Sequence, residues 1–300
     1  MPNDNANPNR EWNDHMRYVK PESFDDAARI LSAETGLSRI LAGGTDVLVQ
    51  LRSEMVEPDL ILDLKHLDGM RDIVAEHGGY RIGAAVSGAE MGEHEGLKAL
   101  WPGVVEGMEL IGSTQIQGRA TLAGNLCNGS PAADSVPGLV AANAVARVHG
   151  PDGSRDVPVA DIPAGPGKTN LGKGEFITSF FLPARPDRAS DAYLRFIPRT
   201  EMDIAVSAAG VSLELDADGT VTAARVAVGA VAPTVRSVAE AGAALVGSKL
   251  DDEAIAAMVA AVEAACSPID DKRGTIEFRT KTAGVLARRA ARIAYARAGG

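Results

Sequence analysis

Residues 120–134 read ATLAGNLCNGSPAAD and carry the strongest local signal in this 300-residue chain. Small polar side chains alternate here with glycine and short apolar residues, and bulky side chains are few. Structural turns rarely need so many small polar residues, whereas a backbone-lined groove for an extended polar ligand, such as a dinucleotide, does. The segment therefore favours a ligand-binding role. Cys127 has no candidate base beside it, so we do not expect its thiol to act as a nucleophile.

A second glycine-rich segment lies upstream, where residues 41–47 read LAGGTDV between a strand pattern and a helical pattern. A strand that turns through two glycines into a helix exposes backbone N–H groups, and such groups bind phosphate. The same residues also fit a tight turn in which Thr45 or Asp46 only caps the helix. This segment alone leaves both interpretations open.

The order of the predicted elements divides the chain into two parts. A helix begins near Ser23. A strand at 39–42, a helical pattern through Val47, Leu48 and Leu51 and a strand at 60–64 then form a compact βαβ unit, and a strand at 80–86 begins a second unit. From about residue 190 the pattern changes to strands followed by helices, which is the order of an α+β domain. The predicted strands are 193–197, 205–215 and 221–228, and the predicted helices are 236–246, 251–266 and 276–297.

Composition excludes several classes of protein. The chain is 45% hydrophobic and 23% charged, which is ordinary for a globular protein of about two domains. It has no apolar run of about 18 residues and no apolar leader, so we predict no membrane span and a cytoplasmic location. Its net charge of −10 argues against nucleic-acid binding. Its 2 cysteines are too few for a disulfide framework or an iron–sulfur cluster of its own.

Two further patterns carry weaker predictions. Residues 165–169, GPGKT, look like the end of a phosphate-binding P-loop, but position 162, where that motif needs its first glycine, is Ile162. We therefore interpret them as a loop without that function. The arginines near the C-terminus fit a solvated helix face or a partner-docking face: Arg288, Arg289, Arg292 and Arg297.

Together, the two glycine-rich segments resemble the paired FAD-binding motifs of the molybdenum hydroxylase flavoprotein subunits. These are the medium subunits of aerobic carbon monoxide dehydrogenase and of bacterial xanthine dehydrogenase-like enzymes. The resemblance covers nearly the whole chain, including RTEMDIA at 199–205 and GAVAPT at 229–234.

This resemblance implies an α+β protein. A disordered lead-in at 1–16 would precede a two-part FAD-binding domain of the vanillyl-alcohol-oxidase type at 17–187, with subdomains at about 17–70 and 75–187. A smaller α+β C-terminal domain would follow at 190–298.

The resemblance also implies which residues bind the FAD, without a covalent link. The first segment would wrap the pyrophosphate with Leu41, Ala42, Gly43, Gly44, Thr45, Asp46 and Val47. The second would line the pyrophosphate, ribityl chain and flavin with Thr121, Gly124, Asn125, Asn128, Ser130 and Asp134. Four more residues fall where the family contacts the cofactor: Ile111, Ala120, Ile177 and Arg195. A cation at Arg195, near the pyrimidine edge of the flavin, would stabilise the reduced anionic flavin.

The chain departs from the family pattern in places. It has Ala123-Gly124 where the family usually has two glycines, a small change. It has Gln117-Gly118 where the family often has Arg-Asn, which alters a loop facing a partner subunit. The cysteine-bearing insertion of the 4-hydroxybenzoyl-CoA reductase relatives does not occur in it, so that subgroup is disfavoured.

The activity implied by the resemblance is electron transfer within a heterotrimer. A large subunit would carry the molybdenum cofactor, a small subunit would carry two [2Fe-2S] centres, and this chain would carry FAD, with no catalytic residue and no metal of its own. The final acceptor (NAD, a quinone or oxygen), the hydroxylated substrate and dimerisation of the complex stay open. The alternatives are a stand-alone FAD-dependent oxidoreductase of the same fold and a non-catalytic dinucleotide-binding assembly protein.

Overall fold

A computed structural model describes residues 16–300 of the chain. The predicted disordered lead-in, residues 1–16, lies outside the described residues except for Met16, whose side chain is exposed. Within the described range, no helix is both long and apolar enough to cross a membrane.

The first unit is a small parallel sheet with one main covering helix. Its elements are β1 (Arg17–Val19), α1 (Phe24–Ala33), β2 (Ser38–Leu41), α2 (Val47–Arg52) and β3 (Leu60–Asp63). The strands run parallel in the order β1-β3-β2, so the predicted βαβ unit is present. Helix α1 begins as predicted, because the Ser23 hydroxyl accepts a hydrogen bond from the Asp26 backbone N–H at 3.1 Å.

The second unit is built on a five-stranded sheet in the order β4-β5-β10-β6-β7, in which every neighbouring pair is antiparallel. Its strands are β4 (Ile73–Glu76), β5 (Gly79–Gly83), β6 (Val145–Gly150), β7 (Gly153–Pro158) and β10 (Phe176–Leu182), with a separate short hairpin of β8 (Pro163–Gly165) and β9 (Lys168–Thr169). Its helices are α3 (Gly88–Glu93), α4 (Glu95–Leu100), α5 (Pro102–Glu109), α6 (Thr114–Gln117), α7 (Leu122–Cys127) and α8 (Ser135–Ala141). The β8–β9 hairpin holds the GPGKT sequence, and no helix follows it directly, so this sequence does not form a P-loop.

The third unit is a four-stranded antiparallel sheet with three helices. Its strands, in the order β11-β12-β13-β14, are β11 (Ala189–Phe196), β12 (Ser207–Leu215), β13 (Val221–Gly229) and β14 (Arg236–Ser237). Its helices are α9 (Ala239–Leu245), α10 (Asp252–Ala265) and α11 (Ile276–Arg297). Helix α11 packs on β11 and β12. A turn that contains Gly219, with φ +82°, joins β12 and β13.

Two hydrophobic cores hold these units. One is shared by the first and second units, and the other lies between the third sheet and its helices. With 35% helix and 27% strand in largely separate layers, the chain has the predicted α+β fold. Strand β10 ends at Leu182 and β11 begins at Ala189. The predicted domain limits, 17–187 and 190–298, stay predictions.

A buried ion pair joins the two cores. Asp191, on β11, is 1% exposed and accepts hydrogen bonds from the Arg185 guanidinium at 2.9 and 3.1 Å and from the Val104 backbone N–H at 3.1 Å. Arg185 stacks over the Trp101 ring, 4.2 Å from its centroid. Burial raises the pKa of Asp191 to about 6, even though Arg185 opposes this shift.

This raised pKa predicts how stability depends on pH. The folded chain holds the Asp191 proton more tightly than the unfolded chain, so the stabilisation from this group is complete below about pH 4 and is lost as pH rises through about 6. We expect the unfolding free energy of the wild type, relative to Asp191→Asn, to fall by roughly 2–3 kcal/mol across that range. Urea titrations of both proteins at several pH values measure this difference. A rise instead would mean that Arg185 keeps the carboxylate ionised.

Candidate functional site

The two glycine-rich segments lie against each other. A methyl group at Gly43 would lie 1.9 Å from the carbonyl oxygen of Arg119, so a side chain at Gly43 has no room there. The Gln50 side-chain amide, on α2, donates to the Asn128 side-chain oxygen at 3.4 Å. Residues 41–47 and 120–134 therefore form one surface, although 72 residues, 48–119, separate them in the sequence.

The first segment turns from β2 into α2 through Gly44, whose φ is +82°. Asp46 occupies the N-cap position of α2, but its side chain makes no capping hydrogen bond. At α1 and α7, in contrast, Ser23 and Thr121 accept such bonds. The Leu48 N–H already donates to the Gly44 carbonyl oxygen at 3.1 Å, but the Asp46 side chain does not cap the neighbouring N–H groups of α2. An anionic ligand can bind those groups, and this favours the phosphate interpretation over the simple turn.

Helix α2 is only partly covered by the rest of the chain, with Val47 and Leu51 half-buried. None of its residues is buried, and Leu48 and Val49 are 52% and 62% exposed. Most helices in globular proteins bury one apolar face. The surface next to the first segment is therefore apolar and exposed.

The second segment contains a short helix, which the sequence did not predict. Helix α7 begins at Leu122, because the Thr121 hydroxyl accepts a hydrogen bond from the Gly124 backbone N–H at 3.0 Å. Ala120 is buried, and its carbonyl oxygen accepts from the Gly88 backbone N–H at 2.9 Å. Thr121 and Gly124, both predicted to contact the FAD, are thus hydrogen-bonded to each other. Ala120 fixes the segment to α3.

The end of the second segment is held from two sides. The Asn125 side-chain oxygen accepts hydrogen bonds from the backbone N–H and hydroxyl of Ser135, at 3.1 and 2.7 Å, and so fixes the start of α8. The Gly129 carbonyl accepts from the Gly167 backbone N–H at 2.9 Å, and a methyl group at Gly129 would lie 2.8 Å from the Lys168 nitrogen. Ser130, half-buried, accepts at its hydroxyl from the Ala132 N–H at 3.2 Å.

Asp134 belongs to a buried polar cluster that reaches the third unit. Its carboxylate accepts hydrogen bonds from the Tyr193 hydroxyl at 2.8 Å and from the Arg195 guanidinium at 2.5 Å. The Asp134 and Arg195 side chains are only 10% and 6% exposed. Burial raises the pKa of Asp134, while Arg195 opposes this, and burial together with Asp134 raises the pKa of Tyr193 well above its usual value.

The structure therefore brings two of the predicted site residues, Asp134 and Arg195, into contact with each other. It also adds Tyr193, which the sequence analysis missed. Tyr193 and Arg195 lie two positions apart on β11, so they face the same side of the strand, and this spacing was the available signal. Because Asp134 pairs with it, Arg195 presents a compensated ion pair to its surroundings rather than a lone positive charge.

The second segment and the third unit enclose a narrow crevice. The Ala230 backbone N–H donates to the Pro131 carbonyl oxygen at 2.7 Å and joins the two sides. The lining includes Gly129, Ser130, Pro131, Pro163, Gly229 and Thr234. This crevice is continuous with the second segment, because Gly129 to Pro131 belong to both.

Two further predicted residues, Ile111 and Ile177, lie in or against the hydrophobic core. Ile177 lies in β10, is 4% exposed, and pairs with Val148 of β6. Ile111 is half-buried and packs on the same core. Their predicted contact with the cofactor stays a prediction.

These groups fit a dinucleotide such as FAD. Glycine lies where the backbone leaves no room for a side chain, as at Gly43, and the start of α2 offers N–H groups for a diphosphate. The hydroxyl and amide groups of residues 120–134 suit a ribityl chain. The buried Asp134–Arg195 pair offers polar partners for the edge of a flavin ring.

Comparison with known protein families identifies the family and the cofactor. Residues 14–185, more than half of the chain, match the family described as the FAD binding domain in molybdopterin dehydrogenase. The chain belongs to this family. Residues 192–294 match the CO dehydrogenase flavoprotein C-terminal domain. FAD is therefore the cofactor of this chain, as predicted.

Relatives along the whole length agree with this membership. The chain is 34% identical to the carbon monoxide dehydrogenase medium chain of Afipia carboxidovorans, covering 94% of this chain and 97% of that one. It is 30% identical to the xanthine dehydrogenase FAD-binding subunit of Escherichia coli O157:H7, covering 96% and 98%. The structure of CO dehydrogenase from Oligotropha carboxidovorans superposes with a TM-score of 0.89 at 32% identity, covering 94% and 98%.

The predicted fold class is thus confirmed, as is an FAD-binding domain followed by a flavoprotein C-terminal domain. The chain is an oxidoreductase subunit, and the two relatives are named as the medium chain and the FAD-binding subunit of dehydrogenases. The assignment of individual residues to parts of the FAD stays a prediction.

Proposed function

We propose that this chain is the FAD-carrying electron-transfer subunit of a heterotrimeric molybdenum hydroxylase. Its partners are a large subunit with the molybdenum cofactor and a small subunit with [2Fe-2S] centres. The observation that carries the proposal is the contact between residues 41–47 and 120–134, which continues into the crevice beneath the third unit. Family membership supplies the identity of the cofactor.

The proposed roles of the residues are binding and electrostatic. Residues 41–47 hold the diphosphate through backbone N–H groups, with Gly43 allowing the close approach of Arg119. Thr121, Gly124, Asn125, Asn128 and Ser130 hold the ribityl and flavin side. When bound, FAD supplies a redox centre that exchanges single electrons with iron–sulfur centres and electron pairs with a two-electron acceptor.

In this proposal the Asp134–Arg195 pair sets the electrostatics beside the flavin ring. The buried pair is overall neutral, so it stabilises negative charge on the ring less than a lone arginine would. It also fixes the guanidinium in one orientation, which a single exposed arginine would not do.

Removing the flavin tests the relay directly. The chain is co-expressed with its large and small partners, and one portion of the purified complex is stripped of FAD. We expect reduced [2Fe-2S] centres to be reoxidised by an external acceptor quickly in the intact complex and far more slowly in the flavin-free one, as followed by electron paramagnetic resonance. Equal rates would exclude the relay. A chain that purifies alone, with FAD and without partners, would favour a stand-alone oxidoreductase.

A cytoplasmic location and the absence of a covalent flavin link belong to the same proposal. Acid precipitation of the purified chain tests the link. The flavin is expected in the supernatant, and flavin retained in the pellet would show a covalent bond.

A further inference from the structure

Arg279, near the start of α11, is a buried arginine with an unusual set of partners. Its side chain is 5% exposed, and the guanidinium donates to the Asp271 carboxylate at 2.7 Å. It also donates to three backbone carbonyl oxygens: Val206 at 2.9 Å, Gly274 at 3.3 Å and Ala230 at 3.4 Å. Arginine is rarely buried this far unless it is paired, and here most of its partners are backbone groups of separate segments. Its contacts therefore hold chain segments in place.

One of those segments, residues 229–234, forms a wall of the narrow crevice beside residues 120–134. Ala230 has a φ of +62°, in the left-handed region that side chains other than glycine rarely adopt. Such a conformation persists only where the surroundings hold it. The Ala230 N–H donates to Pro131, its carbonyl accepts from Arg279, and the next carbonyl, of Val231, accepts from the Ser267 N–H at 2.7 Å. The loop at 229–234 is thus fixed against the second glycine-rich segment.

Arg279 also holds the chain at Val206, which supports the strand that carries Arg195. The Val206 carbonyl accepts from Arg279, and the Val206 N–H donates to the Phe196 carbonyl at 2.9 Å. Phe196 follows Arg195 directly on β11. Arg279 therefore bonds directly to the loop that contains Ala230, and through Val206 it is linked to the end of β11.

We propose that Arg279 is a positioning residue for the FAD site: it holds the Ala230 loop and the end of β11 at the spacing that the flavin requires. This inference rests on the proposed FAD site and adds a residue that lies outside the two glycine-rich segments. The hydrogen bonds of Arg279 go to neither segment, so it acts through Ala230 and Val206.

The test compares Arg279→Met and Arg279→Lys with Arg289→Met in the full chain. Arg289 lies on the same helix and is exposed, so it is a matched control. Flavin is stripped from each protein, FAD is titrated back, and the visible circular dichroism of the bound flavin is recorded. We expect Arg279→Met to weaken FAD binding by about tenfold or more and to change the flavin dichroism, since a charged hydrogen-bond network is lost. Arg279→Lys should bind FAD with an affinity between those of the wild type and Arg279→Met.

Arg279→Met could instead bind FAD with the affinity and the flavin dichroism of the wild type and be only less stable to urea. That result would overturn the proposal and leave Arg279 with a structural role. If Arg279→Met does not fold, Ala230→Val and Ala230→Gly replace it, because valine is disfavoured in the left-handed region and glycine is not. We expect the valine variant to bind FAD more weakly than the glycine variant, and equal affinities would contradict the inference. A wild-type chain that binds no FAD would instead refute the proposed function.

Discussion

Replacing Gly43 with valine is expected to abolish FAD binding while the C-terminal domain stays folded. The new side chain would have to occupy the position of the Arg119 carbonyl, which lies 1.9 Å from where the first carbon would be. Backbone atoms cannot move aside as a flexible side chain can, so residues 41–47 must separate from residues 120–134. The purified variant should be colourless, and added FAD should not restore the flavin absorption of the wild type.

Gly118→Ala is the matched control for this substitution. Gly118 lies close to the same contact in sequence, but a methyl group there would meet its nearest neighbour, the Gln115 carbonyl, at 3.6 Å, an ordinary contact distance. Its backbone is in the right-handed helical region, which alanine also adopts. This variant should keep its flavin. A yellow Gly43→Val protein would show that the contact between the two segments is not needed for binding.

Replacing Arg195 with methionine is expected to lower the unfolding free energy by about 3–5 kcal/mol, because it leaves the Asp134 carboxylate buried without its cation. The Tyr193 hydroxyl remains as a partner, at 2.8 Å, but it carries no charge. Protonation of Asp134 relieves the penalty, so the loss should be smaller at acidic than at neutral pH. Urea titration at two pH values measures both effects.

Two controls separate the effect of breaking the ion pair on stability from the effect of removing an arginine side chain. Arg199→Met, at a side chain that is 67% exposed, should change the stability by no more than about 0.5 kcal/mol. Adding Asp134→Asn to Arg195→Met should recover part of the loss, because the uncompensated charge is then removed. A loss below about 1 kcal/mol in Arg195→Met at neutral pH would show that the pair behaves as if it were exposed.

Local signals in the sequence predicted much of the fold. Ser23 begins α1 as expected. The three longer strands of the C-terminal unit and its long helices also lie close to their predicted ranges. These features depend on neighbours within a few residues, so they can be read from a single sequence.

Elements that depend on distant partners were missed. Strand β10 (Phe176–Leu182) is the central strand of its sheet, and all of its residues except Phe181 are buried. Because it is buried on both faces, its sequence has no alternating pattern that would predict a strand. Strand β1 has three residues, two of them exposed, and exists because it pairs with β3. Helix α7 contains Gly124 and Asn125, which are weak helix formers, and it depends on its Thr121 cap.

The candidate site likewise has features that the sequence shows and features that only the structure shows. The two glycine-rich segments are visible in sequence because their composition is unusual, and their resemblance to the family motifs supplies the ligand. The contact of Gly43 with Arg119, the pairing of Asp134 with Arg195 and the buried Arg279 are tertiary relations. Nothing in the sequence near Arg297 indicates that its guanidinium, although exposed, donates to the Asp191 carbonyl oxygen at 2.9 Å. It also pairs with Glu106.

The most direct measurement is an absorption spectrum of the purified full chain, taken before and after reduction with dithionite. A chain that holds FAD between residues 41–47 and 120–134 is yellow, shows the two visible flavin bands and loses them on reduction. A colourless chain that takes up no added FAD would contradict the assignment, because the glycine-rich segments would then be turns without a ligand.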